Sequence, residues 1–397
     1  MAYDAQFFDT FPCRMGTDCD KWDALRRKEG ADLLPMWVAD MDFRSPPEVT
    51  QALVRRATHG IYGYTEQSTS AQEALLGFVK RRHGLNLTSD QQCMLPCVVT
   101  GLKAAVRTLT QPGDAVIIQP PVYGPFFSSI RDNDRVVAES PLLADAQGRY
   151  RMDFESIRHL CETGAKLMLL CSPHNPVGRC WTRDELEQLW DILSHYGVPL
   201  VSDEIHWDFI FDKDAFTSFL ALPQVQNHSA PIAVLTSASK TFNLAGLQQA
   251  CLLTRNTTLL KSIQSDMQKA GVVQGNVFGM LAAQVAYEQG DAWLDGLLAY
   301  LRQSRDILHT ELSRLLPQAI LSPLEATYLA WVDLRAYGFS NQELLMRTHR
   351  AGVAFTMGTF FGTQGDGFLR INLACPHSQL RHALALLHKA VTQPLVP

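Results

Sequence analysis

Five short apolar segments in the middle of the chain constrain its fold more than any other feature. They have the length of β-strands and lack alternating polar residues, and they span residues 115–119, 166–171, 198–202, 232–236 and 250–254. Segments of this kind are typical of strands that are buried on both faces, as in a parallel sheet covered by helices. The pattern therefore predicts an α/β fold with a mostly parallel sheet.

A helix is predicted between two of these strands. Thr182 followed by Glu185 matches a capping box, which marks the beginning of a helix. Leucines then recur at helical spacing, and Gly197 supplies the stop. Residues 166–202 are thus predicted to form a strand–helix–strand unit of the α/β fold.

The pattern changes from about residue 291 onward. Two amphipathic stretches, 293–316 and 341–351, surround a strand-like segment at 327–334, and a second strand-like segment precedes a final helix. We therefore expect a larger domain over residues 46–290, and a smaller α+β domain formed by residues 1–45 and 291–397.

Composition excludes several classes of protein. The 397 residues are 46% hydrophobic and 19% charged, as in ordinary globular proteins, and the formal net charge is −5. This balance predicts neither a nucleic-acid partner nor a membrane surface. The nine cysteines form no CxxC pair, and no secretory signal begins the sequence. We expect a cytoplasmic protein with reduced thiols.

Polar or reactive side chains directly follow three of the predicted strands. They are Asn175 after segment 166–171, Asp203 and His206 after segment 198–202, and Ser237, Ser239 and Lys240 after segment 232–236. In open α/β sheets, ligands bind beyond the carboxyl ends of the strands. The sequence therefore predicts a functional site at this edge of the sheet.

Lys240 is the centre of the predicted site. A lysine beside a packed strand end is partly desolvated, which lowers its pKa and frees the amine to attack a carbonyl. Pyridoxal 5′-phosphate (PLP) presents such a carbonyl and is held as a lysine Schiff base with an acidic partner for its ring nitrogen. Asp203 is predicted to be that partner. Asn175 and His206 are expected near the phenolic oxygen of the ring, and Tyr123 is expected to stack on its face.

The cofactor phosphate and the substrate carboxylate also need donors. The predicted phosphate donors are the hydroxyls of Ser237 and Ser239 and the backbone N–H groups of Val98, Val99 and Thr100, which begin an apparent helix. Arg370 is the candidate for the substrate carboxylate, because a guanidinium makes a two-pronged contact that lysine cannot copy.

Taken singly, each of these residues has an ordinary structural explanation. A lysine after a strand is usually a solvated surface residue, and an aspartate or asparagine there often forms a turn or caps a helix. Only their joint occurrence on successive strand ends favours a site. Asp203, Glu204 and His206 are a conceivable metal site, but no HExxH or similar spacing supports one, and we predict no metal.

Eight segments along nearly the whole chain resemble the fold-type I PLP enzymes and, among them, the cystathionine β-lyase-like C–S lyases of the MalY/PatB type. These segments are residues 33–43, 59–64, 119–126, 169–186, 201–208, 236–247, 326–335 and 367–376. The motifs Asn175-Pro-Val-Gly and Ser-x-Ser-Lys240-Thr, together with Asp203, are specific for the fold type. The resemblance implies an aspartate aminotransferase-like large domain.

The resemblance also implies roles that the residues alone do not. Lys240 would hold the cofactor and carry protons, while the backbone of Ala39 would line the site for the substrate carboxylate. Tyr64 would reach the phosphate of a neighbouring subunit, which implies an active homodimer. The implied reaction is β-lysis of cystathionine or another cysteine S-conjugate to thiol, pyruvate and ammonia.

Departures from the family pattern leave alternatives open. Gln248 stands where many aminotransferases of this fold have a phosphate-binding arginine, which favours a lyase over the rival class I/II aminotransferase. Cys97 replaces a small residue before the phosphate-binding turn, and Met357 stands where proline is often found. Trp207 and Phe360, with Tyr328, are candidate walls of the substrate pocket.

Two further readings come from other classes of protein. The spacing Ser237-x-x-Lys240 formally matches serine acyltransferases, but the Ser-Asp-Asn and Lys-Thr-Gly elements of that class do not occur. A non-enzymatic regulator with the same fold is the other possibility, and the nearly complete set of site residues argues against a loss of activity.

Overall fold

The computed structural model describes residues 3–212, 215–226, 231–272 and 275–394. Its strands are β1 Leu34–Pro35, β2 Gln92–Leu95, β3 Ala115–Ile118, β4 Val136–Glu139, β5 Leu143–Ala144, β6 Tyr150–Arg151, β7 Leu167–Cys171, β8 Leu200–Asp203, β9 Ile232–Thr236, β10 Ala250–Leu253, β11 Ile320–Leu321, β12 Leu329–Asp333, β13 Val353–Ala354, β14 Thr356–Met357 and β15 Phe368–Asn372.

The α-helices surround these strands. They are α1 Ala5–Asp9, α2 Leu25–Glu29, α3 Pro47–His59, α4 Thr69–His83, α5 Val98–Leu109, α6 Pro125–Arg131, α7 Phe154–Glu162, α8 Arg183–Tyr196, α9 Pro223–Gln226, α10 Ala238–Thr241, α11 Thr257–Lys269, α12 Val277–Gln289, α13 Asp291–Leu315, α14 Asn341–Ala351 and α15 His377–Thr392. Among the described residues, no helix combines the length and the hydropathy that crossing a bilayer requires.

A seven-stranded sheet forms the centre of the fold, with strand order β2-β10-β9-β8-β7-β3-β4. Strands β9, β8, β7, β3 and β4 run parallel to one another. Cys171, Asp203 and Leu235 lie side by side in register near the carboxyl ends of β7, β8 and β9. The α/β fold class and the mostly parallel sheet predicted from the apolar segments are confirmed.

Both faces of the central sheet are buried, as the absence of polar alternation predicted. In β3, Val116 and Ile118 pack into one hydrophobic cluster with residues of α5 and α11. Ile117 points to the opposite face and joins the main cluster, which also contains residues of α8. Successive side chains of a strand point to opposite faces of the sheet. A strand of consecutive apolar residues therefore needs helices packed on both faces.

The last of the five predicted strands differs from the others in direction. Strand β10 runs antiparallel to both β9 and β2. After β9 the chain forms the short helix α10 at the carboxyl end of the sheet and re-enters the sheet beside the strand it has just left. A parallel strand would need a crossover back to the opposite end of the sheet, which this connection does not make.

Helix α8 forms as its sequence signals predicted. The Thr182 hydroxyl accepts a hydrogen bond from the Glu185 N–H (3.2 Å), and a Glu185 carboxylate oxygen accepts one from the Thr182 N–H (2.8 Å). At the other end Gly197 adopts a left-handed conformation with φ of +66°, which glycine tolerates without strain. The reciprocal cap begins the helix between β7 and β8 and thereby completes the predicted strand–helix–strand unit.

A second, four-stranded antiparallel sheet has the order β11-β12-β15-β14 and carries helices α13, α14 and α15. The N-terminal strand β1 pairs with β13 of this region. The chain then continues as residues 37–43 toward the carboxyl ends of the large sheet. The predicted domain bounds at residues 45/46 and 290/291 stay a prediction.

Candidate active site

A cavity of about 600 Å³ lies at the carboxyl ends of β7, β8 and β9. Eleven of the thirteen residues predicted for the site line it: Ala39, Val98, Val99, Tyr123, Asn175, Asp203, His206, Ser237, Ser239, Lys240 and Arg370. Asp203 ends β8 of the large sheet, most of the others follow strands of that sheet in the chain, and β15 of the small sheet supplies Arg370. Strands from two sheets and the start of α5 thus bring the predicted groups together.

Lys240 lies in the short helix α10, directly after β9. Its side-chain nitrogen Nζ donates to the carbonyl oxygen of Ala39 at 2.6 Å. Burial lowers the pKa of Lys240 to about 8, and the charge of Arg370 adds to this effect, while Asp40 and Asp203 oppose it. The amine is therefore available in its neutral, nucleophilic form near neutral pH, as the sequence analysis expected.

Asp203 ends β8 at the floor of the cavity. Its Oδ1 accepts a hydrogen bond from the backbone N–H of Ile205 at 3.1 Å. Burial raises the pKa of Asp203 to about 7, although this hydrogen bond and the charge of Lys240 lower it. Few contacts offset the desolvation of this carboxylate, so a cationic N–H partner would stabilise its charged form strongly. A protonated ring nitrogen is such a partner.

His206 is neutral in this environment. Burial, together with the charges of Lys240 and Arg370, lowers the pKa of His206 to about 3. Its Nδ1 is buried and has no hydrogen-bond partner, and the imidazole and the Tyr328 ring pack in a T-shaped arrangement with 5.8 Å between their centroids. An imidazole with an unpaired buried nitrogen suits a ligand that brings a hydrogen-bonding oxygen.

Arg370 and Asn175 are joined directly. Arg370 Nη1 donates to Asn175 Oδ1 at 2.9 Å, and Nη2 donates to the carbonyl oxygen of Trp37 at 2.9 Å. Burial lowers the pKa of Arg370 to about 10, and its Nε is buried without a partner. Because Asn175 uses its oxygen for Arg370, its NH₂ group remains for another acceptor. An anion at this position would complete the hydrogen bonding of the guanidinium.

The N-terminus of α5 opens on the other end of the cavity. The first N–H groups of a helix, here those of Val98 and Val99, have no intrahelical partners. Cys97 precedes the helix and makes no side-chain capping bond to them. Such a helix end binds phosphate through free N–H groups and the helix dipole. Thr100, the third predicted donor, does not line the cavity; its hydroxyl lies 3.3 Å from the Cys97 sulfur.

The two serines beside Lys240 differ in their hydrogen bonding. The Ser237 hydroxyl donates to the carbonyl oxygen of Gln249 at 2.5 Å and accepts from the N–H of Ser239 at 2.9 Å. Its proton is thus used by the backbone in this structure, and the assignment of Ser237 to the phosphate stays a prediction. Ser239 also lines the cavity, and its hydroxyl stays a predicted phosphate donor.

Some predicted residues lie elsewhere. Tyr64 is 96% exposed and does not line the cavity of its own chain. Trp207, proposed as a pocket wall, is instead buried and stacks on His83 with 3.9 Å between ring centroids. Phe360 does line the cavity. Tyr328 does not, but its hydroxyl donates to the carbonyl oxygen of Ala39, a residue of the cavity wall, at 3.3 Å.

The sequence analysis missed the residues that position segment 37–43. Asn372 Nδ2 donates to the carbonyl oxygens of Val38 (2.7 Å) and Asp40 (2.8 Å), and Asn243 Nδ2 donates to the carbonyl oxygen of Met41 (3.1 Å). A signal was present: each asparagine lies two or three residues after a predicted site residue. Trp37 and Thr356, which also line the cavity, carried no such signal.

This set of groups fits PLP. An amine of lowered pKa, a buried carboxylate, a neutral imidazole and a free helix N-terminus correspond to its aldehyde, ring nitrogen, phenolic oxygen and phosphate. Among the residues that the structure describes, no three His, Cys, Asp or Glu side chains are grouped as metal ligands would be.

The sequence and the fold match known proteins over nearly their full length. The family model for class I and II aminotransferases matches residues 31–387. Cystathionine β-lyase PatB of Bacillus subtilis (strain 168) is 38% identical over 97% of this chain and 100% of its own length. Cystalysin of Treponema denticola, whose structure contains PLP, has a TM-score of 0.93 at 32% identity over 98% of this chain and 99% of its own. The PLP-bound C–S lyase of Staphylococcus hominis has a TM-score of 0.90 at 32% identity, covering 97% and 98%.

Proposed function

The chain belongs to the family of class I and II aminotransferases, and from this premise we propose that it is a PLP-dependent carbon–sulfur β-lyase. Its substrate is an amino acid with a sulfur substituent on the β-carbon, of the cystathionine or cysteine S-conjugate class. The products are a thiol, pyruvate and ammonia. The resemblance to cystathionine β-lyase PatB and to a C–S lyase of known structure supports the lyase over the aminotransferase reaction.

One observation carries the proposal: the amine of Lys240, the carboxylate of Asp203 and the guanidinium of Arg370 line one cavity. Bound PLP supplies a carbonyl for amines and a ring that withdraws electrons from the substrate α-carbon. The protein supplies orientation, charge and proton transfer around that ring.

Lys240 is the base in this proposal. Its pKa of about 8 leaves an appreciable neutral fraction near neutral pH, and its contact with the Ala39 carbonyl holds the amine in place. With PLP bound, the Lys240 amine would be placed to accept the proton from the α-carbon of the substrate. General base catalysis of this kind contributes about 10²–10⁴-fold to a rate.

Three residues would control the protonation and the hydrogen bonding of the ring. Asp203 would keep a proton on the ring nitrogen by its charge, and the NH₂ group of Asn175 and the neutral imidazole of His206 would hold the phenolic oxygen. Tyr123 would cover one face of the ring; burial raises the pKa of its hydroxyl, which therefore stays protonated. The free N–H groups of α5 would bind the phosphate.

Arg370 binds the substrate carboxylate. Asn175 and the Trp37 carbonyl already fix the plane of its guanidinium, so the clamp is organised before a substrate arrives. The backbone of Ala39 lines the same part of the cavity. Such preorganisation reduces the entropy that is lost when substrate binds.

The functional unit is a homodimer in the cytoplasm. The segment around Tyr64 exposes three large apolar side chains: Ile61 (67%), Tyr62 (57%) and Tyr64 (96%). A second copy of the chain would cover this surface and receive Tyr64 near its phosphate. The nine cysteines are free of disulfides, which supports a reducing compartment.

Product analysis tests the proposal. The purified, PLP-loaded protein is incubated with L-cystathionine or S-methyl-L-cysteine without any keto acid, and pyruvate and thiol are measured. A lyase releases both in equal amounts. An aminotransferase instead requires a keto-acid acceptor and releases no thiol, and this result would overturn the proposal.

A further inference from the structure

We infer that the active-site cavity has a second, outer lobe that receives the sulfur substituent, so that the enzyme prefers cysteine conjugates with bulky apolar S-substituents. This inference rests on the proposed C–S lyase function. The outer lobe is a cavity of about 480 Å³. Four residues line both it and the inner cavity that contains Lys240: Lys28, Trp37, Thr356 and Phe360.

The carboxylate clamp lies at the junction of the two lobes. Arg370 Nη2 donates to the carbonyl oxygen of Trp37 at 2.9 Å and lies 3.4 Å from the hydroxyl oxygen of Thr356. That hydroxyl donates to the same Trp37 carbonyl at 2.7 Å. An amino acid whose carboxylate is held by Arg370 therefore lies beside the entrance to the outer lobe, and a substituent longer than the inner lobe can extend into it.

The wall of the outer lobe is mainly apolar. It is formed by Ala24, Leu25, Trp37, Leu345, Ala354, Phe355, Met357 and Phe360. Two of these side chains, Leu345 (39%) and Phe360 (50%), are large apolar groups left exposed to solvent. Covering such a surface with an apolar ligand is favourable in proportion to the area removed from water.

The charged groups of the outer lobe are already paired or lie in water. His349 Nδ1 contacts a Glu29 carboxylate oxygen at 3.2 Å, the Lys28 side chain is 82% exposed, and Asp20 is exposed as well. A zwitterionic end, such as the distal end of cystathionine, would lose hydration against the apolar wall without gaining a buried, unpaired counter-charge. An aromatic or branched alkyl substituent has no such cost. The chemistry of the wall thus favours apolar conjugates.

Two adjacent residues of α14 provide a matched test. Leu345 lines the outer lobe, whereas Met346, with a similar exposure of 41%, lines neither lobe. We compare kcat/KM of the PLP-loaded wild type, Leu345→Asp and Met346→Asp with S-benzyl-L-cysteine and S-methyl-L-cysteine. Thermal melting of each variant checks that it is folded.

The wild type should prefer the S-benzyl conjugate by about 10- to 100-fold. Leu345→Asp should lose most of this preference and keep its activity on the S-methyl conjugate, while Met346→Asp should keep both. The inference is overturned if Leu345→Asp retains the wild-type preference, or if both variants change it equally. Better turnover of cystathionine than of the S-benzyl conjugate by the wild type would overturn it as well.

A binding measurement separates this inference from the proposed reaction. Lys240→Ala protein loaded with PLP is titrated with S-benzyl-L-cysteine in a calorimeter, with and without Leu345→Asp. Tighter binding of the S-benzyl than of the S-methyl compound, lost in Leu345→Asp, supports the outer lobe even if the wild type released no pyruvate. Equal binding of the two compounds would refute it even if the enzyme proved to be a lyase.

Discussion

Lys240 and Ala39, which are far apart in sequence, are joined by a 2.6 Å hydrogen bond from the lysine amine to the alanine carbonyl. The same carbonyl accepts from the hydroxyl of Tyr328 at 3.3 Å. The position of the amine therefore depends on segment 37–43, which Asn243, Asn372 and Arg370 hold by their own hydrogen bonds to its backbone. The backbone of one part of the chain thus holds the side-chain amine of another part in place.

Replacing Lys240 by alanine should abolish turnover. The variant lacks the base, and we expect pyruvate release to fall by at least about 10³-fold. Lys103→Ala is the control, because Lys103 forms a surface ion pair with Asp132 and should be dispensable. Near-normal pyruvate release by Lys240→Ala would contradict the assignment.

The rate at which PLP binds to the apoprotein should rise with pH. Only the neutral amine attacks an aldehyde, and burial lowers the pKa of Lys240 from its ordinary value of 10.5 to about 8. The initial rate of cofactor attachment, followed by visible absorbance, should therefore increase about tenfold per unit below pH 8 and level off above it. A midpoint near 10.5 would show that the amine is not desolvated.

Asp203 and Glu204 form a natural pair for mutation. They are adjacent and buried, and burial raises the pKa of each carboxyl to about 7, but only Asp203 lines the cavity. Asp203→Asn should lower kcat by about 10²–10³-fold because it removes the charge that faces the ring nitrogen. Glu204→Gln should leave kcat nearly unchanged, and a similar loss in both variants would point to a purely structural effect.

The same two variants should change how the stability of the apoprotein depends on pH. A folded-state pKa near 7 exceeds the unfolded value, 3.8 for Asp203, so the folded protein holds the extra proton between these values. The stability that this proton confers is complete below pH 4 and is lost as the pH rises to 7. Urea titrations should thus show a smaller decline for each variant than for the wild type over this range.

Arg370→Lys should impair substrate binding. Lysine cannot reproduce the fork that contacts Asn175, Trp37 and a carboxylate, and we expect kcat/KM to fall by about 10- to 100-fold, mainly through KM. Arg335→Lys serves as the control, since Arg335 binds Asp333 at the surface of the same small sheet. Equal kinetics for Arg370→Lys and the wild type would remove Arg370 from the substrate site.

Tyr64 should act in the active site of the partner subunit. We expect Tyr64→Ala to weaken PLP binding by about tenfold while the fold of its own subunit, checked by circular dichroism, is retained, because Tyr64 is 96% exposed in its own chain. Co-expression with Lys240→Ala at limiting PLP provides the decisive measurement. A mixed dimer contains one site with both native residues, so activity should exceed that of either variant alone. No recovery would argue against a shared site.

Much of this site could be predicted because the informative residues are local in sequence. Strands that are buried on both faces can be recognised in the sequence as unbroken apolar segments. The residues that follow them lie at the edge of the sheet where ligands bind. Asn175, Asp203 and Lys240 were identified in this way, and the structure brings all three to one cavity.

The remainder depends on contacts between distant segments. Three features follow from three-dimensional packing that no short sequence pattern encodes. They are the hydrogen bond from Ser237 to Gln249, the stacking of Trp207 on His83, and the antiparallel direction of β10. The clamps on segment 37–43 are of the same kind. They use single asparagines, whose sequence context resembles that of an ordinary turn or cap.

The hydrogen bond between Arg370 and Asn175 limits which substitutions the site can accept. Arg370 belongs to β15 of the small sheet, whereas Asn175 follows β7 of the large sheet, so a single contact ties the residue proposed to bind the substrate carboxylate to one proposed to bind the cofactor. In the proposed site, a substitution of Arg370 that is selected for a new substrate would also disturb the contact of Asn175 with the cofactor, and a substitution of Asn175 would disturb the binding of the substrate. Evolution of altered specificity in this scaffold is therefore easier at residues that line only the outer lobe, such as Leu345.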